Sequence, residues 1–326
     1  MVILQRFRNL VDLLAYFSDE QICRDYLEHI RWNGNLQCPY DGCESNHIHK
    51  YSDGKRYKCA DCGRQYSVKV GTIFHDSKIP LQKWFAAIYL ITAHKKGISS
   101  LQLHRDIGVT QKTAWYMLHR VRKALGMDEN SEKLSGVVEA DETFIGGDEK
   151  NKHQHKRTEK SQGRSVKTKS PVVGVLERNG ELRAKHVKST RGYYLRPFVV
   201  ENVELGSELN TDEWGGYNGL NRVFKHRIVK HGEGQYVVDG IHTNSIEGFW
   251  SLLKRGIDGI YHSVSDKHLQ KYVDEFVFRY NTREMSEDYR FDLMLNRINN
   301  PMSYQQLIQN GRNNRPMEAQ QKSLGF

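Results

Sequence analysis

His242–Lys254, HTNSIEGFWSLLK, is the stretch on which the fold turns. At about 100° per residue, Ile246, Phe249, Trp250 and Leu253 share one apolar stripe. Glu247 and Lys254, two turns apart, share the flank beside it. This pattern predicts a helix buried along one side, with an acid and a base on its border where chemistry is done. The same residues admit a plainer reading: Asn244 followed three residues later by Glu247 fits a capping box, in which Glu247 only closes the helix start. The surrounding chain has to separate the two.

At 326 residues the chain has room for a core domain of about 150–190 residues preceded by smaller modules. Its 49 Lys and Arg against 39 Asp and Glu give a formal net charge of +10, which favours a polyanionic partner, nucleic acid first. The longest apolar run, Trp84–Ala93, is about half of the roughly 20 residues that cross a bilayer. The first residues interrupt their apolar positions with Arg6 and Arg8 and carry no small-residue cleavage site, so the expected location is the cytoplasm, on the nucleoid.

Four of the five cysteines fall between positions 38 and 62, too few and too clustered for a disulfide framework. Cys38 and Cys43 form a C-x4-C pair and Cys59 and Cys62 a C-x2-C pair, a donor set for a structural tetrahedral zinc ion. His47 or His49 stands as a substitute if one of the first pair is only packed. Such a small module needs the ion for folding energy, and four thiolates leave no open position for catalysis. The fifth, Cys23, falls inside a helical pattern over residues 9–32 and reads as buried packing.

After Pro80 the sequence predicts a buried helix ending at Gly97. Two more helices follow over residues 99–125, joined by a turn at Gly108 with helix-turn-helix spacing. The second would begin at Thr110 and present Gln111, Lys112, Thr113, His119, Arg120, Arg122 and Lys123 to DNA. A plain helical hairpin with a solvated basic face is the competing reading.

From Leu134 the period changes. LSGVVEADETFIGG, residues 134–147, reads as a strand with acidic residues embedded in it, and buried carboxylates need a reason. Residues 150–169 hold eight Lys or Arg and one Glu without apolar periodicity, a loop suited to track phosphates. Then come a hairpin turning at Asn179-Gly180, a helix, a strand ending at Asp212, a loop rich in His and Gly, and the opening helix. A long helix starts at the Ser265/Asp266 cap, and the Gln- and Asn-rich tail after Pro301 reads as loosely ordered. This order predicts a mixed sheet with Asp141 and Asp212 at neighbouring strand ends and Glu247 at a helix start. Three carboxylates so placed can hold two divalent cations about 3.5–4 Å apart for in-line attack on a phosphodiester. Of the other polar residues, Glu139 and Glu142 flank Asp141 and could serve as ligands, but one of them is expected instead to pair with the basic loop. Glu213 is expected to be exposed; Trp214, Phe249 and Trp250 to be core; His262 and His268 to be structural. His242 either orients a carboxylate or phosphate or only bonds within its loop.

Seven stretches in order carry a resemblance extending from about residue 30 to 283: RYKCADCGRQYSVKVGTIF, KIPLQKWFAAIYLI, GISSLQLHRDIGVTQKTAWYMLHRVR, VEADETFIGG, NTDEWGGY, HTNSIEGFWSLLKRGI and YHSVSDKHLQKYVDEFVFRYN. The chain resembles bacterial insertion-sequence transposases of the DDE superfamily, in the group with a zinc ribbon and a ribonuclease-H-like catalytic domain. The resemblance implies an α/β fold, a ribonuclease-H-like mixed sheet with flanking helices, preceded by a zinc ribbon and a helix-turn-helix. It implies that Asp141 of DET and Asp212 of TDEW are the first two metal-binding carboxylates, with Glu247 as the third after 34 intervening residues. Some relatives use Asn in the third position, which makes Asn244 a neighbouring or substitute ligand. Lys254 is expected to contact donor DNA, with Arg255 beside it. The expected cofactors are Mg²⁺ or Mn²⁺ for catalysis and Zn²⁺ for structure, and the expected partners are inverted-repeat ends, target DNA and further copies of the chain. The expected units are an N-terminal helical segment (1–32), a zinc ribbon (33–75), a helix-turn-helix region (76–130), a catalytic domain (131–290) and a tail (291–326). A nuclease of the same fold and a zinc-ribbon transcription regulator are the alternatives; the regulator would need no carboxylates on its strands.

Overall fold

The computed structural model describes residues 6–126, 131–147, 153–158, 165–229 and 242–309. The front of the chain is helical around one small ribbon. Helices α1 (Leu10–Tyr16) and α2 (Glu20–Trp32) are capped by Asn9 and Asp19, whose side chains accept backbone N–H groups of the first turn. Strands β1 (Ile48–Lys50), β2 (Tyr57–Cys59) and β3 (Gln65–Tyr66) form a three-stranded antiparallel sheet. Helix α3 (Leu81–Ala93) begins after Pro80 and is buried almost all round. Helices α4 (Ser100–Ile107) and α5 (Gln111–Ala124) follow; Gly108, at φ 60°, takes the left-handed position that closes α4, and Thr110 caps α5.

The second half of the chain is built on a five-stranded sheet in the order β6-β5-β4-β7-β8. Strand β4 (Val137–Ile145) is central. It runs antiparallel to β5 (Ser170–Glu177), which pairs antiparallel with β6 (Leu182–His186), and parallel to β7 (Glu208–Asp212), which pairs parallel with β8 (Lys225–Val229). The β5–β6 hairpin turns where the sequence predicts, with Asn179 at φ 59°. Helix α6 (Gly192–Asn202) connects β6 to β7 and covers one face, packing with Val138, Ala140, Val173, Val175 and Leu209. Helices α7 (Asn244–Gly256) and α8 (Asp266–Asn281) cover the other, where Ile246, Phe249, Trp250 and Leu253 meet Val172, Leu176, Leu182 and Ala184. Alternate residues of β4 therefore serve opposite cores. This is a mixed sheet between helical layers, the ribonuclease-H-like arrangement.

The free edge of β6 is closed by side chains of α8. Leu182 N–H donates to Asn281 Oδ1 at 2.9 Å, Asn281 Nδ2 returns a bond to Leu182 O, and His186 N–H donates to Gln270 Oε1 at 2.7 Å. These amides replace a missing neighbour strand and block edge-to-edge pairing.

Residues 302–309 differ from the loose tail predicted after Pro301, while the rest of that segment, 310–326, lies outside the described residues. Helix α9 (Glu287–Leu295) inserts Phe291, Met294 and Leu295, followed by Ile298, into the core of the N-terminal helices. Beyond Pro301, Met302 is buried and α10 (Tyr304–Ile308) is closed by a Ser303/Gln306 capping box, with Leu307 buried. Burial of these apolar residues outweighs the polar composition around them. Residues 150–152 and 159–164 of the basic stretch and the His- and Gly-rich residues 230–241 lie outside the described residues. Among the described residues no helix is long and apolar enough to cross a membrane.

Candidate active site

Asp141 sits on β4 facing α7. Its Oδ2 accepts a hydrogen bond from Trp250 Nε1 at 3.0 Å. Its partner in register on β5 is Gly174, and a Cβ there would lie 2.8 Å from Trp250 Cη2, so glycine leaves the space that the indole fills. Asp212 ends β7 one step beyond the Ala140–Thr211 pair, which brings it beside Asp141. Its Oδ1 accepts Trp214 N–H at 3.0 Å. Glu142 points to the opposite face of β4, where Tyr217 O–H donates to its Oε2 at 2.9 Å. One carboxylate oxygen from each of Asp141, Glu142 and Asp212 lies within 4.8 Å of the others. Burial first, then the charges of Asp212 and Glu247, push the Asp141 carboxyl up to about 7. A set of hard oxygen donors this crowded is suited to a divalent cation, whose charge relieves the repulsion.

Glu247 lies in the first turn of α7, exposed, outside the 4.8 Å set but near enough for its charge to act on Asp141. Thr243 Oγ1 donates to Glu247 Oε1 at 3.1 Å. The capping-box alternative does not hold: Thr243, not Asn244, occupies the cap position, and it makes no side-chain cap bond. Asn244 is the first helical residue and is exposed. The free N–H groups of α7 are satisfied from the sheet instead. Glu139, 0% exposed on β4, accepts Ser245 N–H at 3.0 Å and Ile246 N–H at 3.1 Å on Oε2, and Ser245 Oγ and Arg178 Nε on Oε1. His242 Nδ1 lies 3.2 Å from the same Oε1, and Arg178 donates to His242 O. Glu139 is thus committed to Arg178 and the start of α7, a role its sequence position two residues before Asp141 does not reveal. A buried carboxylate at a helix N-terminus also matches the sign of the helix dipole.

Farther along α7, Lys254 and Arg255 are exposed. Lys254 and Lys169 line a cavity of about 170 Å³ with Phe144, Gly146, Ile257 and Asp258, at the far end of β4 from Glu139. Glu213 is exposed as expected; Trp214 is not core but 42% exposed, its Nε1 donating to Thr190 O at 2.8 Å.

In the helix-turn-helix, Gln111 and Lys112 are exposed in the first turn of α5. Gln111 Nε2 donates to Ser100 Oγ, Lys112 Nζ lies 4.9 Å from the Tyr304 ring, and Thr113 is half-buried against Thr110. Arg120 and Arg122, also expected on the DNA face, are buried. Arg120 donates to the carbonyls of Ile73, His75 and Met302. Arg122, 1% exposed, pairs with the fully buried Glu275 of α8, which Arg279 also contacts, and lies over the Tyr272 ring at 4.0 Å. These two arginines are corrected to structural residues, because α5 is enclosed by α8 and the C-terminal segment beyond its first turn. His119 is fully buried too, and Lys123 donates to Pro301 O.

In the ribbon, the four Sγ atoms of Cys38, Cys43, Cys59 and Cys62 lie within 4.8 Å of one another, with Cys38–Cys62 and Cys43–Cys59 both at 3.7 Å. A tetrahedron with Zn–S near 2.3 Å has edges of about 3.8 Å, so the thiols already stand at the spacing zinc requires. The two extra residues of the first pair are absorbed in a turn closed by Cys43 N–H to Tyr40 O. His47 instead faces Asp61 at the surface, and His49 is exposed.

Residues 133–281 match the model of an ISXO2-like transposase domain, and residues 18–65 that of a transposase zinc-ribbon domain. An uncharacterized protein in transposable element ISH50 of Halobacterium salinarum is 29% identical over 275 residues, covering 81% of this chain and 91% of the relative. A chain in the cryoEM structure of the simian T-cell lymphotropic virus intasome in complex with PP2A regulatory subunit B56 gamma is 12% identical. It covers 59% of this chain and 68% of that chain at a TM-score of 0.28, too low a likeness to bear on fold or function. The matched domains bring with them DNA binding, divalent-metal use and zinc binding in the ribbon. With a strand-borne carboxylate cluster, a four-thiol ribbon and both domain matches in one chain, this protein belongs to the insertion-sequence transposases of the DDE type.

Proposed function

We propose that the chain cleaves DNA at the terminal inverted repeats of its element and joins the exposed 3′ ends to target DNA, with Asp141, Asp212 and Glu247 holding Mg²⁺ or Mn²⁺. The observation that carries this reading is the convergence of Asp141, in the middle of β4 and not at its end as the sequence predicts, with Asp212, at the end of the neighbouring β7, under the helix that bears Glu247. Asp141, Asp212 and Glu247 would hold the divalent cations, which when bound would supply activation of water or a 3′-hydroxyl and neutralisation of charge on the leaving oxygen. The chain's own groups do the positioning. Trp250 fixes the Asp141 carboxylate, Trp214 N–H fixes that of Asp212, and Thr243 that of Glu247. Asn244, one turn before Glu247, is the neighbouring or substitute ligand. Lys254 and Arg255, on the same helix, bind the donor strand's phosphates.

DNA ends are read by Gln111, Lys112 and Thr113, since the first turn of a recognition helix is the part that reaches base edges. The divisions at 1–32, 33–75, 76–130, 131–290 and 291–326 serve as a working map of end recognition in front and cutting behind. The protein works in the cytoplasm on the nucleoid, and two ends are brought together by more than one copy.

The test is a joining assay with a pre-cut inverted-repeat end and a second DNA in Mg²⁺ or Mn²⁺. Wild type joins, whereas Asp141→Ala, Asp212→Ala and Glu247→Ala bind the end without cutting or joining. Joining retained by Asp212→Ala, or cleavage of an uncut end by it in a parallel reaction, refutes the assignment, and hydrolysis without joining favours a nuclease.

A further inference from the structure

The Asp141 site has a fourth carboxylate that the three-carboxylate reading leaves out. Glu142 follows Asp141 directly, and neighbouring residues of a strand point to opposite faces. Glu142 therefore belongs to the α6 side, where Tyr217 packs with Val138, Ala140 and Leu209. Strand β7 makes its last pair with β4 at Ala140–Thr211, while β4 runs on to Ile145. Beyond that point β7 contributes only Asp212, and one carboxylate oxygen of Glu142 lies within 4.8 Å of those of Asp141 and Asp212. Its orientation is set from below by Tyr217, 1% exposed, whose O–H donates to Oε2 at 2.9 Å. An ionised carboxylate accepts about four partners, so the bond from Tyr217 to Oε2 is compatible with a cation on the same group. Ligating carboxylates are commonly held by such a second hydrogen bond.

We propose that Glu142 is a further ligand of the catalytic divalent cation, contributed from the α6 face of the sheet, and that Tyr217 is its positioning residue. The inference rests on the reading of Asp141 and Asp212 as metal ligands, and its test separates the two. Mn²⁺ is titrated into the full-length, zinc-loaded protein without DNA, and free Mn²⁺ is followed by electron paramagnetic resonance. Wild type, Glu142→Gln, Tyr217→Phe, Asp141→Asn and Asp212→Asn are compared, with thermal melts to verify folding. Glu142→Gln keeps an acceptor for Tyr217 and removes the charge, whereas Tyr217→Phe keeps the charge and removes only the positioning bond, so the second variant separates ligation from through-space attraction.

The expected result is a loss of affinity of about tenfold or more for Glu142→Gln. Tyr217→Phe should lose up to about tenfold, at the low end of the roughly 10–100-fold that outer-shell partners contribute. If both bind Mn²⁺ as wild type does while Asp141→Asn and Asp212→Asn fail to, the inference is overturned and the site reading stands. If the two Asn variants also bind like wild type, the site reading falls and the inference with it. Should Glu142→Gln not fold, Tyr217→Phe decides alone.

Discussion

Replacing Asp141 by Asn should make the metal-free protein more stable while destroying its activity. In the fold the Asp141 carboxyl is held at about 7 against an ordinary 3.8, by burial and by the charges of Asp212 and Glu247. At about 1.4 kcal/mol per tenfold, the ionised form costs the native state about 4 kcal/mol as a ceiling. Because the side chain is not fully enclosed, solvent screening trims this to about 2–4 kcal/mol. The sign follows from linkage. A folded-state pKa above the unfolded one gives stability that is fully present below about 4 and lost as pH rises through about 7. Asn cannot ionise but still accepts the Trp250 bond, so the variant escapes that loss.

The assay is denaturant unfolding of both proteins from pH 4 to 8 in buffer stripped of free divalent cations, with the ribbon zinc retained. The variant's advantage should be under about 1 kcal/mol at pH 4, widen up to pH 7 and stay flat above it. Added Mn²⁺ should then stabilise wild type and leave the variant unmoved. Parallel stability curves over this range, or a variant less stable at pH 8, would refute the crowding argument.

Two further changes probe the scaffold. Gly174→Ala pushes a Cβ to 2.8 Å from Trp250 Cη2 and 3.1 Å from Ile246 Cδ1; overpacking of about 1–3 kcal/mol and displacement of the indole from Asp141 should lower joining without weakening end binding in a gel-shift assay. Arg122→Ala strands the buried Glu275 and should destabilise by about 3–5 kcal/mol in chemical denaturation, whereas Lys112→Ala, exposed on the same helix, should leave stability nearly unchanged and flatten the salt dependence of DNA binding by about one charge.

Local pattern carried a large part of the site. The apolar stripe of α7 is a 3.6-residue period in one short segment, and the end of β7 at Asp212 is marked by the Gly-Gly turn that follows the strand. Both lie within a few residues of the features that signal them, so they are readable before any tertiary contact is known. The cysteine spacing likewise needs only a compact turn and a short ribbon to bring four thiols together.

What escaped the sequence depends on partners far along the chain. Glu139 looks like any acid beside Asp141 until the N–H groups of Ser245 and Ile246, more than a hundred positions later, are folded onto it. Arg122 reads as a basic DNA-facing residue until Glu275 closes over it, and the residues after Pro301 read as loose until Arg120 and Tyr116 donate to Met302 O. Charge and polarity in a sequence state what a side chain can bind, whereas burial is a property of what packs against it. The amino-acid sequence by itself therefore determined the modules, the strand-borne aspartates and the helix that carries Glu247. Only the tertiary structure decided which charges face solvent, which cap or pair inside, and that Glu142 stands with the aspartates, because each of these turns on a contact between distant segments.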